Sequence, residues 1–408
     1  GWNVAQEPFF ERIAEKCSIG TLKLRASWGQ LGNTDTKDAW YPFYQTMPTG
    51  SNYGWLLNGA LPNYANNPGI VSMKKTWETI ETWDVGLDWG LFNNRLTGSF
   101  DYFVRYTYDM IGPAPELAAS LGTGVPKINN ADMKSYGFEL ELGWRDRIRD
   151  FSYGVKFVLS DSQQKILKYP NEDYNIGTYY KGQKLNNIWG YKTIGIAQSQ
   201  EEMDAHLAKV DQSALGSKWG AGDIMYKDLN NDGKISSSDR TYIGDPNPDF
   251  TYGMTNTFSW KGFNLSIFIQ GSYGNDIYNA SRIETEGMYD GKNQSARVLN
   301  RWKIPGQITD VPKANFKLLN STYFVEDGSY LRLKDVSLSY NVKGKLLKKW
   351  GITRLQPYFT ATNLLTWTSY SGMDPEVNQW GNSGTVQGID WGTYPHCRSY
   401  VFGINVEF

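Results

Sequence analysis

The stretch Trp83-Asp84-Val85-Gly86-Leu87-Asp88-Trp89 alternates a large apolar residue with a small or acidic one at every step. A period of two puts Trp83, Val85, Leu87 and Trp89 on one face of an extended strand and Asp84, Gly86 and Asp88 on the other. Phe92-Asn93-Asn94-Arg95 reads as a turn. The chain then resumes with Leu96, Phe100, Tyr102, Val104 and Tyr106 on one face and Thr97, Ser99, Asp101 and Arg105 on the other. Tyr136 to Trp144, Phe151 to Leu159, Phe263 to Ile269 and Tyr400 to Phe408 repeat the pattern.

Long strands are expected near 22–30, 77–90, 95–107, 134–146, 151–165, 250–260, 262–273, 327–341, 354–368 and 398–408. The phase changes between Leu333 and Val336, which predicts a β-bulge, and Lys343 to Trp350 is expected to hold a helical turn. The connections alternate in length: 31–76, 108–133, 166–249, 274–326 and 369–397 are long, while 91–94, 147–150, Lys261 and 342–353 are short. Outer-membrane barrels show this asymmetry, with short periplasmic turns and long outer loops. Trp77, Trp89, Trp144, Phe151, Trp260 and Trp367 sit at strand ends, where interfacial aromatic girdles lie. The expected fold is therefore all-β: a transmembrane antiparallel barrel, to which these strands contribute part of the wall. A soluble β-sandwich also alternates, but it seldom pairs its apolar face with so many charges on strands this long.

Composition agrees with a barrel. The net charge of −1 leaves no electrostatic footprint for nucleic acid. No run of about 18 apolar residues exists, so no transmembrane helix is expected, and barrels hide their membrane signal in alternation instead. Gly1 to Gly20 does not read as a signal peptide. Cys17 and Cys397 cannot make a disulfide framework, and His206 and His396 lack metal-ligand spacing. Asp84, Asp88, Asp101, Arg105, Glu139, Glu141 and Lys156 alternate with apolar positions and read as the lining of a polar lumen, not as glycosidase carboxylates. No nucleophile constellation, phosphate loop or zinc cluster is present, so no enzyme and no organic cofactor is expected.

Across essentially the whole chain, the sequence resembles the SusC-like (SusC/RagA) family of TonB-dependent transporters of Bacteroidetes, in the C-terminal part of their barrel. The resemblance is carried by Leu22 to Gln30, Trp77-Glu78-Thr79, Lys134 to Leu140, Gly190-Tyr191-Lys192, Gly222-Asp223-Ile224, Gly244-Asp245-Pro246, Arg301-Trp302, Tyr330 to Tyr340, Asn363-Leu364, Asp374-Pro375-Glu376 and Tyr394-Pro395, in this order. It implies a bacterial outer-membrane barrel of about 22 strands with an N-terminal plug, energised through TonB and capped by a SusD-like surface lipoprotein. Residues 1–408 would then be the closing part of the wall, lacking the plug and the first strands. The rest of the barrel would pair with them, against lipid and lipopolysaccharide. The implied function is TonB-dependent import of oligosaccharides. A peptide importer of the same family, a non-transporting surface glycan-binding protein and a passive porin remain as alternatives.

Two candidate sites stand out within the outer loops. In the long extracellular excursion 166–249, Asp228-Leu229-Asn230-Asn231-Asp232-Gly233-Lys234-Ile235-Ser236-Ser237-Ser238-Asp239 places oxygen ligands at loop positions 1, 3, 5, 9 and 12 with Gly at 6, which is calcium-loop spacing. Asp228, Asn230, Asp232 and Asp239 would bind through side chains, Lys234 through its carbonyl, and Ser236 directly or through water. The ion would be structural calcium; the competing reading is an ion-free Asn/Asp/Gly turn. The second candidate is a set of loop aromatics on which sugar rings could stack: Trp40, Tyr41, Tyr44, Trp55, Tyr179, Tyr180, Trp189, Tyr289, Trp380 and Trp391.

Overall fold

The computed structural model describes every residue except 35–43, 52, 53, 55, 74, 113, 115–124, 173, 175, 217, 290, 345–348, 350 and 378–386. Among the described residues, eleven strands form one sheet in sequence order. They are β1 (Trp2–Asn3), β2 (Thr21–Asn33), β3 (Glu78–Leu91), β4 (Leu96–Ile111), β5 (Asn129–Ile148), β6 (Phe151–Lys168), β7 (Phe250–Trp260), β8 (Phe263–Tyr273), β9 (Tyr330–Tyr340), β10 (Arg354–Thr368) and β11 (Ser399–Glu407). All ten long strands read from alternation are present, and the two-residue β1 adds to them. No helix among the described residues is long and apolar enough to cross a membrane.

The chain divides into two units. The first comprises Gly1–Gly90, Ser99–Glu139 and Ser162–Leu185. Here β2 and β3 pair antiparallel, with Leu22 opposite Trp89, Leu24 opposite Leu87, Ala26 opposite Val85 and Trp28 opposite Trp83. The Trp28 and Trp83 rings lie 6.0 Å apart, yet Trp28 is 57% and Val85 59% exposed. A column of large apolar side chains left uncovered is what a lipid-facing sheet surface requires. On the opposite face Lys23 stands across from Asp88 and Ser27 from Asp84. A small core of Ala131, Ile166, Tyr169 and Leu185 closes over one end of this unit's strands.

The second unit comprises Leu91–Gly98, Leu140–Asp161 and Asn186–Phe408. Residues 166–249, expected as one long connection, contribute to both units, with the division between Leu185 and Asn186. Lys261 and Gly262 link β7 to β8 with φ of 46° and 99°, the paired positive φ of a tight hairpin turn. The predicted bulge falls at Lys334: Leu333 pairs with Ile269 and Asp335 with Phe268, so Lys334 has no opposite number. Apolar side chains again line one uncovered face, as in β11, where Phe402 is 79% and Ile404 66% exposed. The helical turn expected over Lys343–Trp350 lies largely outside the described residues.

The long connections of the second unit fold on one another. Ile196, Ile224, Tyr226 and Ile235 from one, and Tyr278, Ala280, Phe316 and Phe324 from the next, form a single buried cluster. Tyr191 and Thr322 join them by backbone bonds, from the Tyr191 N–H to the Asn320 carbonyl at 2.8 Å and from the Thr322 N–H to the Tyr191 carbonyl at 3.0 Å. A third connection joins through Ile389–Asp390, which runs parallel to Asp276–Asn279, itself antiparallel to Val325–Asp327. Backbone groups that a bare loop would leave to water are thereby paired.

Candidate functional site

Charges on the polar strand faces are matched laterally. Arg25 on β2 lies 2.8 Å from Asp88 on β3 and 2.7 Å from Asp101 on β4. Glu141 on β5 meets Lys156 on β6 at 2.8 Å. These pairs balance charge between neighbouring strands on the polar face, as the lining of a polar lumen requires.

A second charged group fastens a loop to a strand. Arg332 on β9 bonds Asp374 at 2.6 Å with both side chains 3% exposed, and it also holds Glu376. Lys334, the bulge residue, meets Glu376 at 3.0 Å, and the Tyr330 hydroxyl donates to the same carboxylate at 2.9 Å. Among the described residues, Asp374, Glu376 and His396 are the three whose metal-ligating atoms converge within 4.8 Å. Arg332 and Lys334 already balance the two carboxylates, and a divalent cation would have to displace a buried guanidinium. The arrangement reads as an ion-pair anchor. Burial works to raise the Asp374 carboxyl, but the Arg332 hydrogen bond and the N–H groups of His396 and Glu376 outweigh it and hold it at about 2.

The Asp228–Asp239 loop is shaped by its own side chains. Asp228 accepts from the N–H groups of Asn231 and Gly233 at 2.7 and 2.8 Å. The Asn230 side chain accepts from the Asp232 N–H at 3.0 Å, and Asp232 from the Lys234 N–H at 2.8 Å. Asp239, fully buried, receives the Leu229 and Ser236 N–H groups at 2.9 and 2.8 Å. Ser236 caps the turn over Ser237–Asp239. Gly233 has φ of 78°, a backbone position that favours glycine. Ile235, fully buried, ties the loop to the core. The donor set is all hard oxygen, as calcium requires.

The loop aromatics scatter. Trp40, Tyr41, Trp55 and Trp380 lie outside the described residues. Tyr44 is 65% and Trp391 50% exposed. Tyr179 packs on the core of the first unit, edge-on to Tyr169 at 5.7 Å, and burial pushes its phenol up. Tyr180 tilts against Tyr174 at 5.8 Å. Trp189 sits in the short strand Ile188–Gly190 opposite Tyr242. Tyr289 does reach a cavity. A space of about 530 Å³ in the second unit is lined by Tyr289 with Trp219, Phe316, Lys218, Lys313 and Lys317 among others, a size typical of ligand pockets. Sequence reading passed over Trp219 and the three lysines because no local spacing unites them.

No family model matches the chain. It is 31% identical to TonB-dependent receptor P3 of Formosa agariphila, across 100% of this chain and 41% of that protein. It is 24% identical to TonB-dependent receptor SusC of Bacteroides thetaiotaomicron, across 100% of this chain and 39% of that protein. The solved RagAB peptide transporter superposes with a TM-score of 0.75 at 25% identity, covering 96% of this chain and 41% of that one. The chain thus spans about two-fifths of the length of these relatives.

Proposed function

Since the chain belongs to the SusC-like family of TonB-dependent receptors of the outer membrane, we propose that it forms part of the wall of an importer of oligosaccharides, working with a SusD-like lid lipoprotein and driven through TonB. The observation that carries this is the two-faced sheet, uncovered and apolar on one side and ion-paired on the other, in a chain related throughout to receptors of that name. Exposed rings in the connections, such as Tyr44 and Trp391, favour a sugar as cargo. Import of peptides is the second reading, favoured by the fold shared with the RagAB peptide transporter.

In this reading the Asp228–Asp239 loop holds a structural calcium ion through Asp228, Asn230, Asp232, the Lys234 carbonyl, Ser236 and Asp239. The ion would stiffen an extracellular connection and take no part in chemistry.

Deleting the receptor gene should abolish growth on one class of oligosaccharide, and deleting TonB should do the same. Uptake that survives the loss of TonB would overturn active import. Growth defects confined to peptides would move the cargo to the second reading. Affinity purification of the receptor from outer membranes should bring down the lid lipoprotein.

A further inference from the structure

We infer that the cavity beside Trp219 is a subsite for an anionic saccharide, a sugar ring carrying a carboxylate or a sulfate ester. The inference rests on the oligosaccharide reading above and names the class of sugar. The first support is charge. Of the three lysines at the cavity, Lys313 is neutralised by the buried Asp223 at 2.7 Å. Lys218 and Lys317 are exposed, and neither has a carboxylate partner among the described residues. Two uncompensated ammonium groups therefore border a concave space, where partial desolvation strengthens their pull on an anion. Lys218 is also held with φ of 68°, a conformation that a non-glycine residue keeps when its surroundings fix it.

The second support is the aromatic wall. The Trp219 Nε1–H donates to the Gln212 and Gly216 carbonyls at 3.0 and 2.9 Å. Its ring meets Tyr226 edge-on at 6.1 Å. The indole is therefore fixed before any ligand arrives, and a preorganised ring costs little entropy on binding. Tyr289, 45% exposed, supplies a second ring at the same cavity. Lysine meets carboxylate or sulfate as a compact point charge, without the bidentate geometry that would choose between them. The cavity accordingly specifies an anion beside aromatic side chains and leaves the kind of anion open.

The test uses the intact receptor, purified from outer membranes in detergent, with calorimetric binding of four probes: an oligogalacturonate, a sulfated oligosaccharide, a neutral malto-oligosaccharide and an oligoglutamate. One or both anionic saccharides should bind, with affinity falling as salt rises; which of them binds identifies the anion. The double variant K218Q/K317Q, both at exposed positions, should weaken that binding about tenfold, as expected for two partly solvated charge contacts. Y289A should weaken it as well. Heat-modifiable gel migration of each variant reports that the receptor is folded. Binding unchanged in K218Q/K317Q would overturn the inference, as would a preference for the neutral oligosaccharide. Oligoglutamate binding as tightly as the anionic sugars would overturn the saccharide assignment. A receptor that binds these sugars through the lysines while cells fail to import any oligosaccharide would defeat the import reading and leave the subsite standing.

Discussion

The Tyr252 hydroxyl on β7 donates to the Tyr330 carbonyl on β9 at 3.1 Å, reaching over the intervening β8. Neighbouring strands stand about 4.8 Å apart, so the ring must lie flat across β8, and it does so at Gly271, its partner in register. A Cβ at Gly271 would stand 2.2 Å from the Tyr330 carbonyl oxygen and 2.5 Å from the Tyr252 hydroxyl. Gly271→Ala should therefore disturb three strands and lower the heat-modifiable, folded fraction on gels. Tyr252→Phe keeps the ring and loses one hydrogen bond, about 1 kcal/mol, and should fold normally. A fully folded Gly271→Ala receptor would contradict this account.

Arg332 and Asp374 set a pH threshold. The Asp374 carboxyl is lowered from 3.8 to about 2, and Glu376 is lowered as well: burial opposes this, while Lys334, Tyr330 and Arg332 prevail. Groups depressed in the folded state stabilise it fully above their unfolded values and lose that contribution as pH falls through the folded ones. Protease cleavage within 369–398 should accordingly increase as pH drops from about 4 toward about 2. An acid-active protease such as pepsin reads this directly. Arg332→Met leaves two carboxylates short of their main partner, costs about 3 kcal/mol, and should expose the same connection at neutral pH.

The uncovered apolar face predicts a depth-dependent penalty. Val85, opposite Ala26 and 59% exposed, is a membrane-facing position in the proposed barrel. Val85→Arg should cost about 2–4 kcal/mol in a bilayer, measured as reduced folding into lipid vesicles. Asp84→Asn, on the polar face, should be nearly silent in the same assay. Equal penalties would remove the distinction between the faces.

Calcium should protect the Asp228–Asp239 loop. Limited proteolysis of the receptor in chelator should cut between 228 and 239 faster than in calcium, and Asp232→Ala should make cleavage insensitive to the ion. Asp239→Ala should open the loop with or without calcium, because two N–H groups lose their buried acceptor at about 1–3 kcal/mol each. Cleavage rates identical with and without calcium in the unaltered protein would leave the loop an ion-free turn.

The strands were legible because alternation is local: a period of two shows itself within seven residues, as in Trp83 to Trp89. The bulge at Lys334 was legible for the same reason, as a slip of phase. The start of β5 was not. It begins at Asn129, where no alternation is visible, because the Asn129 and Asn130 side chains bond the backbone of neighbouring segments and Ala131 enters a core. The turn over Asp228–Asp239 could be read because its oxygen-bearing side chains are contiguous in sequence, whereas the cavity could not. Lys218 and Lys317 are ordinary surface charges until folding brings them to one cavity, and Trp219 gives no sign in sequence that its ring will be pinned by two carbonyls.

The cluster that joins Ile196, Tyr226 and Ile235 to Phe316 and Phe324 draws on two connections separated in sequence by the β7–β8 hairpin. The first connection has a small core of its own in Ala197, Met203 and Met225, but the larger cluster needs both, so exchanging either one singly opens it. A graft that carried only 186–249 into another receptor would present half of an apolar interior to water. The unit that keeps its interior when moved is instead the hairpin with both of its flanking connections, together with the Ile389–Asp390 segment that pairs with Asp276–Asn279.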